Sequence, residues 1–360
     1  MQLKRTLWLT IGLVFGASLL SASGVVYTCD PSVPAAYCNT LTTTIAGLYD
    51  STFSNANANI YISMGDTSLG ESIYVPNSIS YASYLHDLTS EATGGVVQTD
   101  AIAALNEYDT PALCPQGLAS FNCTSNNQVA VTGALGEALG ISTSQLRGVE
   151  ADGSTVCYLS SAGCYSGDIV ISDSASLYYR SGSITGGEYD FFTAVEHETD
   201  EVLGTASCMN TTAASGLLTD ACGGHNESAV DLFRYNSAGK LALNSAYAGL
   251  SSAPSGAYFS FNGGVANVAT YNTLANGLDY ADFTTNCTYV QDAYGCAGMA
   301  GLDITNDGPG GTNGPEISIL NAVGYDVVVA PEPGTLGLLG AALGALGIYK
   351  RRMYRRHRSV

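Results

Sequence analysis

Apolar and polar positions recur along this chain with period two in some stretches and near three and a half in others, and each change of period marks an element. Residues 57–64 put Ile60 and Ile62 on one side of an extended run, which predicts a strand. Over 79–92 the spacing turns helical, with Tyr81, Tyr84, Leu85 and Leu88 on one face, and 99–108 continues that helical layer. Residues 129–131 read as a strand running into a short helix at 135–139 that Gly140 ends, and 167–172 as a second strand. After the Gly186-Gly187 break, residues 189–203 carry Phe192, Val195, Thr199 and Val202 along one side and stop at Gly204, an amphipathic helix with a glycine terminator. Beyond it, short β-like runs at 231–235, 241–243, 257–261 and 268–271 sit between Gly, Asn and Ser turns, and a last helix at 317–323 ends near Gly324. The pattern predicts an α+β unit over 24–206 and an irregular, β-rich C-terminal part of the same unit over 207–330, with a soft boundary near residue 206.

Both ends stand apart from that pattern. Lys4-Arg5, the apolar stretch from Leu7 to Leu20 and Ser21-Ala22-Ser23 have the three-part layout of a signal peptide over residues 1–23, and the apolar part is short for a membrane span. At the other end, Pro331-Glu332-Pro333 precedes an apolar run from Gly334 to Tyr349 and then the bases Lys350, Arg351, Arg352, Arg355, Arg356 and Arg358. As a helix the apolar run reaches about 24 Å, a minimal span, with the basic cluster kept on the cytoplasmic side. In its order of motif, span and Arg cluster, 331–360 resembles the PEP-CTERM sorting signal of Gram-negative bacteria. The resemblance implies export, an exosortase-type processing enzyme as partner, and a place outside the cell or on its surface, with the C-terminal segment as a transient or lasting transmembrane anchor.

Charge narrows the function classes. The chain has 12 Lys+Arg against 31 Asp+Glu, and once the ends are set aside only Arg147, Arg180, Arg234 and Lys240 face 30 acids over residues 24–330, a net charge of −26. A nucleic-acid binder needs a basic patch, so that class is excluded, and docking on anionic headgroups is disfavoured for the same reason. A 46% hydrophobic composition is ample for a packed core. The ten cysteines fall in five close pairs, Cys29/Cys38, Cys114/Cys123, Cys157/Cys164, Cys208/Cys222 and Cys287/Cys296, and with the signal peptide they predict disulfides formed outside the cytoplasm. No Cys-x-x-Cys spacing supports a zinc ribbon.

The candidate chemistry lies on the 189–203 helix, which reads Glu196-His197-Glu198-Thr199-Asp200-Glu201-Val202-Leu203-Gly204. His197 and Glu201 are four apart and leave the same helical face, so they can chelate one ion, while Glu198, one step round, is placed to act as general base on a water that the ion activates. Gly204 stands where the metzincin pattern His-Glu-x-x-His-x-x-Gly-x-x-His turns the chain; Glu201 replaces its second His and Ser207 its third. The alternative is a solvent-facing acidic surface, but four acids within six residues repel one another unless a cation or base compensates, and no Lys or Arg lies nearby in sequence. His225 is one candidate for the third ligand and Asp231 the other, whereas His86, on a helix among aromatic residues, reads as structural. A carboxylate-rich set also suits calcium or manganese. The stretch Asp303-Ile304-Thr305-Asn306-Asp307-Gly308 begins like a calcium loop, but its twelfth position is Gly314, so an acidic turn is the better reading.

The helix, with Tyr189-Asp190 before it and Asp231-Leu232-Phe233-Arg234-Tyr235 after it, resembles a family of secreted, often PEP-CTERM-bearing metalloproteases whose helix reads His-Glu-Ile-Asp-Glu-Val-Leu-Gly; here Thr199 takes the Ile position. The similarity extends from about Asn57 through Ala257-Tyr258-Phe259-Ser260 and Asp279-Tyr280-Ala281-Asp282 to Leu320-Asn321-Ala322-Val323-Gly324-Tyr325. It implies a zincin- or metzincin-like core, zinc as cofactor, peptide or protein substrates and hydrolysis of peptide bonds. The contrasting expectation is a catalytically inactive surface or exopolysaccharide-matrix protein on the same scaffold, favoured by the two replaced histidines.

Overall fold

A computed structural model describes residues 24–108, 128–208, 227–237, 240–241, 256–272, 279–284, 287–305 and 314–328. The signal-peptide and sorting-signal segments, His225, and Cys114, Cys123 and Cys222 lie outside the described residues. The fold is α+β, with several small sheets. Its central sheet has four strands, β1 (Val25–Cys29), β2 (Ala58–Gly65), β3 (Gly70–Tyr74) and β4 (Gly167–Ser172), in the order β1-β2-β4-β3. The first three in that order run parallel, with Tyr27 opposite Ile60 and Ile60 opposite Gly167, and β3 closes the edge antiparallel, with Ser72 opposite Ile169.

Period-two burial marks β1 and the first part of β2, and near-continuous burial marks β4. Val25, Tyr27, Ile60, Ile62, Ile169 and Ile171 are buried, while Val26 on the other face of β1 is exposed. The predicted strands at 57–64 and 167–172 are β2 and β4, and the predicted helices appear as Tyr81–Glu91, Val96–Tyr108, Gly133–Ala138, Phe191–Asp200 and Pro315–Val323. Other elements carry little sequence contrast. All five residues of β3 are half-buried, so no alternation marks it. A helical run through Ala35–Thr40, Leu41–Ile45 and Ala46–Thr52 contains three consecutive threonines, and Thr42 and Thr43 donate their hydroxyls to the carbonyls of Cys38 and Asn39 one turn back. Its Leu41, Ile45 and Tyr49, four apart, bury completely against the sheet.

In the C-terminal part, the strand predicted at 231–235 begins only at Arg234–Ser237, because Val230–Phe233 is a 3-10 turn. The backbone N–H and the hydroxyl of Ser228 both donate to Asp231 Oδ2, at 3.0 and 2.8 Å, and curl the chain there. One buried apolar cluster runs from Val25 to Tyr325 and takes in both sides of residue 206. The tie is direct: Tyr325 Oη donates to Leu203 O at 2.9 Å and Tyr84 Oη to Val323 O at 3.1 Å. Three of the expected disulfides are present, Cys29–Cys38, Cys157–Cys164 and Cys287–Cys296, and Cys208 is disulfide-bonded as well. Among the described residues no helix is long and apolar enough to cross a membrane.

Gly204 ends the helix at φ 120° and ψ 20°, a conformation closed to side chains with a Cβ, and an added Cβ would also press on Leu135 at 3.2 Å. Gly204→Ala is expected to cost about 1–3 kcal/mol of stability, read from the shift in urea midpoint. An unchanged midpoint would show that the turn tolerates an ordinary residue.

Candidate metal centre

The helix Phe191–Asp200 starts at a built cap. Asp190 Oδ1 accepts from the backbone N–H groups of Phe192 at 2.9 Å and Thr193 at 3.4 Å, and Arg180 holds the carboxylate from outside through Nε at 2.8 Å. The helix then presents its acids inward: Glu196 and Asp200 are fully buried, Glu198 nearly so, and Glu201 half-buried. A solvent-facing acidic surface is therefore not what these residues form.

Two of the four acids are answered from distant parts of the chain. Glu196 Oε2 accepts from Ile304 N at 3.0 Å, and its neighbour Asp303 is paired with Arg180 at 2.7 Å. Burial and then Asp303 push the Glu196 carboxyl well above the usual carboxylate range. Asp200 Oδ1 accepts from Tyr49 Oη at 2.8 Å. The stretch at Asp303 thus serves as an acidic turn that anchors Arg180, with Asn306 and Asp307 outside the described residues.

The other two acids open into a cleft of about 570 Å³ between the helix and β3. There His197 Nε2 lies 3.9 Å from Glu201 Oε1 and 3.5 Å from Asp282 Oδ1, an oxygen that is buried without a hydrogen-bond donor. Two ligand atoms held about 2.1 Å from a tetrahedral ion sit about 3.4 Å apart, so these separations suit one small divalent cation. His197, Glu201 and Asp282 are the one group of metal-capable side chains that converges in this way among the described residues. The chemistry of the set, an imidazole and two carboxylates, fits zinc, and manganese or calcium as harder ions.

Neighbours hold each donor. His197 Nδ1 meets Val290 O at 2.9 Å, which turns Nε2 toward the cleft, and Ser72 Oγ on β3 donates to Glu201 Oε2 at 2.5 Å. Glu198 lies against the backbone of β3 at Gly70, where a Cβ would collide with its Oε1. Burial first, and then the charge of Glu201 beside it, push the Glu198 carboxyl well above its ordinary range, and the two share a hydrogen bond. Asp279 and Asp282 are raised by the same two causes in the same order. No Lys or Arg lines the cleft among the described residues.

Of the residues singled out in sequence, His197, Glu198 and Glu201 meet here. Asp231 has its carboxylate engaged by Ser207 Oγ at 2.6 Å, Cys208 N at 3.0 Å and both donors of Ser228, and it braces the chain behind the cleft. Ser207, at the position of the third metzincin histidine, is thereby a hydrogen-bond donor to Asp231. His86 is exposed on the Tyr81–Glu91 helix. The residue missed in sequence is Asp282; its Asp279-Tyr280-Ala281-Asp282 segment was a marker of resemblance, and its only local signal was two acids three apart in a region poor in charge. No protein-family model, curated protein or solved structure matches this chain.

Carboxyl groups whose folded pKa is raised contribute stability that is present below the unfolded value near pH 4 and lost as pH rises. A divalent cation reverses that loss where the protons have left. Added zinc, manganese or calcium is therefore expected to raise the melting temperature more at about pH 8 than at about pH 5, and Asp282→Asn to shrink the gain. A gain equal at both pH values, or undiminished in the variant, would remove these carboxylates from cation binding.

Proposed function

We propose that this chain is an exported, metal-dependent endopeptidase with a zincin-like core. The observation that carries the reading is the convergence of His197 Nε2, Glu201 Oε1 and Asp282 Oδ1 beside Glu198 in a cleft that no Lys or Arg lines among the described residues. These three residues would hold the ion, and zinc is the first candidate. A bound ion of this kind supplies Lewis acidity to a scissile carbonyl and acidifies a water. Glu198 would then take a proton at its carboxylate and return it to the leaving amine, and burial and then Glu201 raise its proton affinity. Ser72 orients Glu201, and Gly70 lets the backbone of β3 close over Glu198 so that the base faces the cleft. The disulfides Cys29–Cys38, Cys157–Cys164 and Cys287–Cys296 support an oxidising, extracytoplasmic location, consistent with a signal peptide at 1–23 and with an exosortase-type enzyme and the membrane as partners of 331–360.

One observation favours a second reading. A single imidazole among carboxylates is a donor set for hard cations, as in a calcium-stabilised surface or exopolysaccharide-matrix protein without catalysis. Glu198→Gln separates the two. On the endopeptidase reading it lowers casein cleavage by about a hundredfold or more while bound zinc stays near one equivalent. Cleavage retained in the variant removes Glu198 from the chemistry, and a wild-type chain that takes up calcium but less than about a tenth of an equivalent of zinc favours the silent scaffold.

A further inference from the structure

We infer that the disulfide-closed loop between Cys287 and Cys296 is the positioning element of the metal centre: it fixes which nitrogen of His197 faces the ion and how far His197 stands from Asp282. The inference rests on the metal-binding reading above and adds the element that sets it up.

The loop reaches both ligands. Val290 O, at 2.9 Å from His197 Nδ1, is a carbonyl and can only accept, so Nδ1 carries the proton whenever this bond is made. A neutral ring so held keeps its lone pair on Nε2, the nitrogen that lies 3.5 Å from Asp282 and 3.9 Å from Glu201. The competing tautomer would put the proton on Nε2, where the two carboxylates would accept it and no lone pair would be left for an ion. Gln291 clamps the same residue from its backbone side, donating from Nε2 to His197 O at 2.7 Å, while its own N–H donates to Glu316 Oε1 at 2.9 Å on the C-terminal helix. Toward the other ligand, Phe283 N donates to Gln291 O at 2.7 Å and Ala293 N to Phe283 O at 3.0 Å, so the residue next to Asp282 is paired with the loop on both sides.

The loop is built to hold a shape. Asp292 Oδ2 accepts from Thr288 N at 2.9 Å and Tyr289 N at 3.3 Å within it, Val290 and Gln291 are buried, and Cys287–Cys296 ties its ends. Both cysteines line the cleft. The bridge therefore stands at the site it shapes, unlike Cys157–Cys164, neither of whose residues lines the cleft.

Three variants of the full exported chain test this: Gln291→Leu, the pair Cys287→Ser and Cys296→Ser, and the control pair Cys157→Ser and Cys164→Ser. Zinc affinity by chelator competition is expected to fall about ten- to a hundredfold in the first two and to hold in the control, even where the control melts lower. Long-range proton–nitrogen spectra of the metal-free protein, with His197 assigned through His197→Ala, supply a readout without metal. Nδ1 is expected to carry the proton in the wild type and to lose it to Nε2 in the opened-loop variant. Wild-type affinity in both loop variants, or an unprotonated Nδ1 in the wild type, overturns the inference. Failure of the underlying reading looks different: His197→Ala would then bind zinc as well as the wild type.

Discussion

Four carboxyl groups within two turns of one helix have to leave water with no Lys or Arg on that helix, and the architecture around residues 191–205 is arranged by that constraint. Burying a charge costs several kcal/mol unless a partner compensates it. Glu196 receives the Ile304 N–H and lies beside the Arg180–Asp303 pair, and Asp200 receives the Tyr49 hydroxyl. Each solution brings a distant segment to the helix. Glu198 and Glu201 receive Ser72, Gly70 and each other, with Asp279 and Asp282 adding negative charge. Acids are compensated on one side of the helix and concentrated on the other, and the concentrated side lines the cleft.

The same arrangement explains why a weak-looking edge strand matters. β3 has no apolar alternation to hold it, yet it pairs with β4 along its whole length and brings its backbone against Glu198. Its position comes from the ladder and its composition from the site: Gly70 where a side chain has no room, Ser72 where a donor is needed.

Strongly periodic elements were legible in the sequence, since Ile60/Ile62, Tyr81 to Leu88 and Phe192 to Val202 each keep one face buried over their full length. So was the helical half of the site, because an i, i+4 pair and its neighbour are fixed by helix geometry alone. Elements shaped by hydrogen bonds rather than by a long apolar period were not: β3, the threonine-containing run through Leu41–Ile45, and the 3-10 turn at Asp231. Asp282 belongs with them. It reaches His197 across 85 positions of chain, through Phe283 and the loop that follows, and no local pattern encodes such an approach. Asp231 stood out through the resemblance of its Asp-Leu-Phe-Arg-Tyr block, but its oxygens are committed to Ser207, Cys208 and Ser228.

The hydrogen bond from Tyr325 to Leu203 spans 122 positions and closes the end of the site helix with the last buried aromatic residue of the core. For a chain that emerges N-terminus first, His197 and Glu201 appear long before the side chain that fixes the turn behind them. Their helix gains its final support only when residue 325 has arrived, and Asp282 must be delivered before that. The turn behind the site helix is thus completed only when residues 203 and 325 are both present to meet.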